Sequence, residues 1–210
     1  MSKKIVREIT GIVFSLPYLV ARDEGLFKEV GVDIDFVPSR TRDPRHRLAL
    51  DPKLVPTIAG HEPFEEDQAN LYNTCEWGSI RRSNDSQRGG RIVAKAAAVP
   101  VQAIFVLPDS GITHPQDLRN KTVGVNFHSG SHYIAIQLLE GFLEDNEIKV
   151  VHVGGNRYEA LLNRDVDAVA LMEPWITIAE KQGALRIAEA HYLNAEIADS
   201  NVDEETYEKI

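Results

Sequence analysis

At 210 residues, with 43% hydrophobic and 26% charged residues, the chain has the make-up of a folded globular protein with one large or two small lobes, which excludes wholesale disorder. Its 23 basic and 32 acidic residues leave a formal net charge of -9, which repels phosphate backbones and anionic surfaces and argues against nucleic acid as a partner. No stretch approaches the roughly 20 apolar residues that span a bilayer, and a lone cysteine, Cys75, excludes an intrachain disulfide.

The opening Met1-Ser2-Lys3-Lys4 passes straight into Ile5-Val6-Arg7-Glu8-Ile9, with no apolar leader and no small-residue cleavage site. As written, the chain is expected in the cytoplasm; with a leader already removed, the expectation becomes the periplasm or the cell exterior. The first forty residues read as one β-α-β unit. Ile5 to Val13 is β-rich, Leu16 to Phe27 has helical spacing, and Val32 to Val37 alternates again. Leu16, Leu19, Val20 and Phe27 share a helix face, and Gly25 and Gly31 punctuate its end.

Residues 38 to 70 are rich in Pro, Arg, Asp, His and Glu and read as an irregular excursion, a candidate cover for a site. Within it Arg40, Arg42, Arg45, His46 and Arg47 form the longest basic cluster, interrupted by Asp43 and Pro44 and best read as a solvated loop. Short strands follow at Ala69 to Thr74, Ile92 to Ala97 and Gln102 to Val106, with a polar connection over Ser83 to Gly90 and a lobe crossover over Leu107 to Asn120. A second series then alternates: strand Thr122 to Val125, helix Tyr133 to Asn146, strand Lys149 to Val153, helix Tyr158 to Arg164, strand Ala168 to Leu171. Strands alternating with helices imply a mostly parallel, doubly wound sheet in each lobe. From Ala188 the tail carries Ala, Asp and Glu, and its terminal Asp203-Glu204-Glu205-Thr206-Tyr207-Glu208 starts like a helix and stops. The expected domains are a first α/β lobe over 1–109, a second over 110–187, and a return segment over 188–210 that looks truncated.

Three passages resemble the sulfonate-, nitrate- and thiamine-pyrimidine-binding branch of type 2 periplasmic binding proteins. They are PYLVARDEGLFKEVGVDIDFV (17–37), SGITHPQDLRNKTVGVNFHSGSHY (110–133) and ALLNRDVDAVALMEPWITIAEKQGA (160–184). They cover one third of the chain in the family's order. The resemblance implies two α/β lobes closing on a small-molecule ligand in a cleft, and an ABC transporter permease as the receiving partner. Residues 38 to 70 depart from the family's usual helix and strand.

Ligands of open α/β sheets sit beyond the carboxyl ends of the strands, which singles out four loops. Phe14 and Ser15 open the first helix, where the Ser15 hydroxyl can cap the helix amides. Cys75, Glu76 and Trp77 follow the third strand; a carboxylate beside an indole suits a cationic or amine-bearing group. His128, Ser129, Gly130, Ser131 and His132 present small polar residues and amides at a helix start, a cradle for an anion or carbonyl. Glu173 and Trp175 follow the strand ending at Leu171, with Pro174 at a first helical position and Glu173 at the cap. The resemblance implies that Glu76 and Trp77 line the cleft, that the 128–132 turn grips a sulfonate, carboxylate or phosphate, and that Glu173 faces the ligand.

Such walls suit a small polar organic molecule with an amine or heteroaromatic end and an anionic or carbonyl end. The expected function is solute binding with no cofactor and no metal, because His128 and His132 lack a third ligand. The alternative is a cytosolic hydrolase, hydratase or lyase of a small nitrogen- or sulfur-containing compound. It would use Cys75 as nucleophile with His128 or His132 as base.

Overall fold

The alternation of the first forty residues folds as a strand, Ile5–Ile9 (β1), two helices, Leu16–Asp23 (α1) and Leu26–Glu29 (α2), and a strand, Ile34–Pro38 (β2), parallel to β1. Gly25, at φ 76°, makes the left-handed break between the two helices. The computed structural model describes residues 4–39, 47–56, 61–96 and 101–210. Of the basic cluster, Arg40, Arg42, Arg45 and His46 lie outside the described residues, while Arg47 pairs with Asp165.

The chain then forms helix Glu62–Glu65 (α3), strand Leu71–Cys75 (β3), helix Glu76–Asp85 (α4) and strands Arg91–Ala96 (β4) and Val101–Val106 (β5). Strand Thr122–Val125 (β6), helix Gly130–Glu140 (α5), strand Lys149–His152 (β7), helix Arg157–Leu162 (α6), strand Ala168–Leu171 (β8) and helix Trp175–Lys181 (α7) complete the alternating series. Two strands, Leu185–His191 (β9) and Asn194–Ala198 (β10), and a short helix, Glu204–Tyr207 (α8), end the chain.

These elements divide into two units. One is Met1–Thr41, Ile58–Ala98 and Leu193–Ile210; the other is Arg42–Thr57 and Val99–Tyr192. Each holds a five-stranded sheet, ordered β2-β1-β3-β10-β4 in the first and β7-β6-β8-β5-β9 in the second. The expected mostly parallel sheets are instead mixed. In the first, β1 is parallel to β2 and β3, but β10 runs antiparallel to β3 and β4; in the second, β6 is parallel to β7 and β8, but β5 runs antiparallel to β8 and β9.

Three expectations are corrected. Strand β5, expected in the first lobe, belongs to the second unit, where it pairs with β8 and β9. The polar stretch read as a connection from Ser83 is helical to Asp85. The tail from Ala188, in which no strand was expected, contains the end of β9 and all of β10, an interior strand whose five residues are all buried, while the helix start expected at its terminus forms as α8.

A buried strand sequence such as Asn-Ala-Glu-Ile-Ala is tolerated because its charge is met. Arg7 Nη2 of β1 donates to Glu196 Oε1 at 2.8 Å, Asn73 Nδ2 of β3 donates to the same oxygen at 2.6 Å, and the Arg7 guanidinium lies 3.5 Å from the centre of the Tyr18 ring. A buried pair of this kind adds little net stability but is costly to break on one side.

In the second unit one sheet face packs Val123, Val125 and Phe127 with Ala135 and Leu139 of α5. The other packs Val151, Val169 and Leu171 with Tyr158, Ala160 and Leu161 of α6 and Ile176 and Ala179 of α7. Part of the excursion joins this unit: Leu48 N donates to His152 O at 2.6 Å, His152 N donates to Ala49 O at 2.9 Å, and Val55 enters the α5-side core. No helix among the described residues is long and apolar enough to cross a membrane.

Candidate functional site

The turn from β6 into α5 brings the third set of expected residues into one cluster. Asn126 N donates to Ser131 Oγ at 2.9 Å, Ser129 Oγ donates to Asn126 O at 2.7 Å, and the two serine hydroxyls lie 2.9 Å apart. The hydroxyls therefore shape the turn at the amino end of α5. A matching bond appears in the first unit, where Thr10 N donates to Ser15 Oγ at 2.9 Å. Ser15 stands at the cap of α1, as expected, but its hydroxyl turns back to the strand end and makes no cap bond.

His128 occupies a left-handed conformation, φ 62°, and its Nε2 lies 2.9 Å from Pro52 O and 3.0 Å from Val55 O. Two carbonyls accept only from a donor, so Nε2 carries the proton. The ring pins the 47–56 segment to the turn. His132 Nδ1 accepts from His128 N at 3.3 Å, and His152 Nδ1 accepts from Phe127 N at 3.1 Å. Burial pushes the His132 pKa down to about 4, with His128 adding a smaller push, so the His132 ring is neutral at physiological pH. Among the described residues no group of three or more side chains is arranged to hold a metal ion.

The remaining expected residues are spread over both units. Phe14 and Ser15 are buried just beyond β1. Cys75 closes β3 and caps α4, its Sγ accepting from Gly78 N at 3.2 Å; Glu76 and Trp77 begin that helix, half-buried. The geometry is tight, since a Cβ on Gly78 would meet Thr74 Oγ1 at 2.5 Å. Cys75 belongs to the first unit, His128 and His132 to the second.

Beyond β8, Glu173 does not occupy the cap: Pro174 does, and α7 begins at Trp175. The Glu173 carboxylate accepts from Thr177 N at 3.2 Å and from Thr177 Oγ1 at 2.9 Å, meeting the first turn of α7 from one residue further back. Trp175 lines a cavity of about 280 Å³ between α6 and α7, with Tyr158, Glu159, Leu162, Ile178 and Gln182.

Sequence reasoning passed over Arg157. It is 7% exposed at the first position of α6, where its Nε donates to Ala170 O at 2.6 Å and its Nη1 to Gly154 O at 2.9 Å. Burial pushes its pKa down to about 10, against a weaker upward pull from Tyr192, so it remains a cation at neutral pH. Among the described residues no carboxylate is paired with it. A buried charge without a counter-charge is expensive unless something else supplies one. The signal was legible: Gly154-Gly155-Asn156-Arg157 directly follows a strand, in the place reserved for ligand contacts.

Residues 81–206 match the family described as NMT1/THI5 like. No curated protein matches the sequence. Among solved structures, the periplasmic aliphatic sulphonate binding protein SsuA from Escherichia coli superposes with a TM-score of 0.72 at 17% identity, over 99% of this chain and 69% of that one. The alkanesulfonate-binding SsuA from Xanthomonas axonopodis pv. citri, bound to MOPS, gives 0.65 at 16%, over 93% and 66%. PhnD1 from Prochlorococcus marinus, in complex with methylphosphonate, gives 0.65 at 12%, over 99% and 82%. At these identities the likeness is one of fold: two α/β units of the type 2 periplasmic-binding-protein kind. The chain spans about two thirds of the length of the two sulfonate-binding proteins.

Proposed function

The chain belongs to the NMT1/THI5-like family, and from that premise we propose that it binds a small, anion-bearing organic solute without transforming it. Arg157 carries the reading. A guanidinium held at the carboxyl end of a parallel strand pair, fixed by two carbonyls and lacking an acidic partner among the described residues, is poised to receive an oxyanion. Ser129, Gly130, Ser131 and the neutral His132, at the start of α5, are proposed as the polar wall beside it. Phe14, Ser15, Glu76 and Trp77 stand just beyond β1 and β3, the corresponding strand ends of the first unit, and are proposed as its ligand-facing residues. Delivery to an ABC transporter permease and a periplasmic or extracellular location belong to the same proposal, supported by what the structural neighbours are described as.

Isothermal titration of the purified chain with methylphosphonate, methanesulfonate and acetate tests it. Removing one partner of a buried charge pair costs about 2–5 kcal/mol, so Arg157→Gln is expected to weaken the best anion about thirtyfold or more, while Arg157→Lys retains part of the affinity. An Arg157→Gln protein that is folded by circular dichroism and binds with wild-type affinity removes the proposal.

A further inference from the structure

The unit that holds Arg157 holds a second unmet group. Asn126 follows β6 and is 4% exposed; its backbone is fully engaged in the turn, yet its side-chain Oδ1 is buried without a donor. Strand alternation puts Gly124 and Asn126 on one face of the sheet. A Cβ on Gly124 would meet Val153, Val166 and Val169, which belong to the core shared with α6, whereas Val123, Val125 and Phe127 turn toward α5. Asn126 therefore points to the side on which α6 begins.

The register places it further. Val123 pairs with Ala168 and Gly124 with Val169; the same register carried two residues further would set Val125 beside Ala170 and Asn126 beside Leu171. Ala170 is the residue whose carbonyl holds Arg157 Nε. The orphaned acceptor and the cation without a carboxylate thus occupy neighbouring positions at one sheet end, beside the amino end of the 11-residue helix α5.

The two groups make opposite demands. The guanidinium and the helix amides call for negative charge; a buried carbonyl oxygen calls for a hydrogen-bond donor and repels a further acceptor. We infer that this site selects anions that carry a donor beside their charge, such as a singly protonated phosphonate or a zwitterionic amino acid, over sulfonates, which offer only acceptors. The inference rests on the binding function proposed above and deepens it. Discrimination of this type is steep, because the wrong ligand leaves a buried polar group unpaired.

Matched pairs of ligands test it by titration calorimetry near pH 6.5: methylphosphonate against methanesulfonate, and glycine against acetate. The wild type is expected to favour the donor-bearing member of at least one pair by about tenfold or more. The phosphonate pair assigns the donor to a P–OH, the glycine pair to an ammonium. Asn126→Leu, which keeps the bulk and removes the acceptor, is expected to bring the ratio to within about twofold. If that variant does not fold, repeating the phosphonate pair near pH 9, where methylphosphonate loses its second proton, is expected to erase a P–OH preference; for the glycine pair the wild-type ratio decides. Equal affinities within both pairs, still lost in Arg157→Gln, overturn the selectivity and leave the binding function standing. Binding of none of the four ligands removes both.

Discussion

His132 shows how one side chain ties the turn to pH. Its Nδ1 accepts the His128 amide, and its ring packs 4.8 Å from the centre of Phe127 and 4.8 Å from that of Tyr133. With the pKa lowered to about 4 in the fold, the unfolded chain binds more protons between about pH 4 and 6.5. Stability from His132 is therefore complete above about pH 6.5 and is lost as pH falls toward 4, by up to about 3 kcal/mol. Urea unfolding of the wild type should show its midpoint falling over that window, and His132→Gln should flatten the fall; identical slopes would contradict the assignment. His132 and the turn around it were legible as polar residues at a helix start. Their partners were not, because Pro52 and Val55 lie 76 and 73 residues from His128 in sequence. Cys75 was legible as a lone thiol after a strand and as a candidate nucleophile, not as a helix cap. Its role as the α4 cap depends on where β3 stops, one residue beyond the expected strand end.

At the scale of elements, strands β6 and β8 begin and end where the sequence predicts, since four-residue apolar runs between turn signals have few other places to go. Gly124 within β6 has a packing reason that sequence does not reveal: a Cβ there would lie 2.9 Å from Val153, 3.0 Å from Val169 and 3.1 Å from Val166. These branched side chains cannot yield freely, so Gly124→Ala is expected to cost about 1–3 kcal/mol. Gly141→Ala, with nothing within 4 Å and an ordinary φ of -74°, should be neutral or slightly stabilising. Thermal melts of the two variants measure the contrast, and equal melting temperatures would refute the packing argument. Helix α4 escaped prediction because Glu-Trp-Gly-Ser-Ile-Arg-Arg-Ser-Asn-Asp is rich in weak helix formers. Tertiary contacts overrule that weakness: Arg82 of α4 is buried, donates to Glu65 at 2.5 Å and lies 4.3 Å from the centre of the Tyr72 ring.

In the whole molecule, the first unit depends on the end of the chain. Strands β3 and β4 do not pair with each other but with β10 between them, and Arg7 finds its carboxylate on that strand. A chain stopped after Tyr192 should therefore lose hydrogen-exchange protection in β3 and β4 while keeping it in β5 through β8; undiminished protection throughout would refute this. The sequence by itself determined the α/β class, the parallel pairing of β1 with β2, the alternating run from β6 to β8 and the family, because period, turn residues and local order are properties of neighbouring residues. Only the tertiary structure decided the antiparallel insertion of β5 and β10, the interleaving of the two units, and the packing of His128 against Pro52 and Val55. These depend on contacts across as many as 189 residues of chain, where burial, counter-charge and register act and local pattern carries no signal.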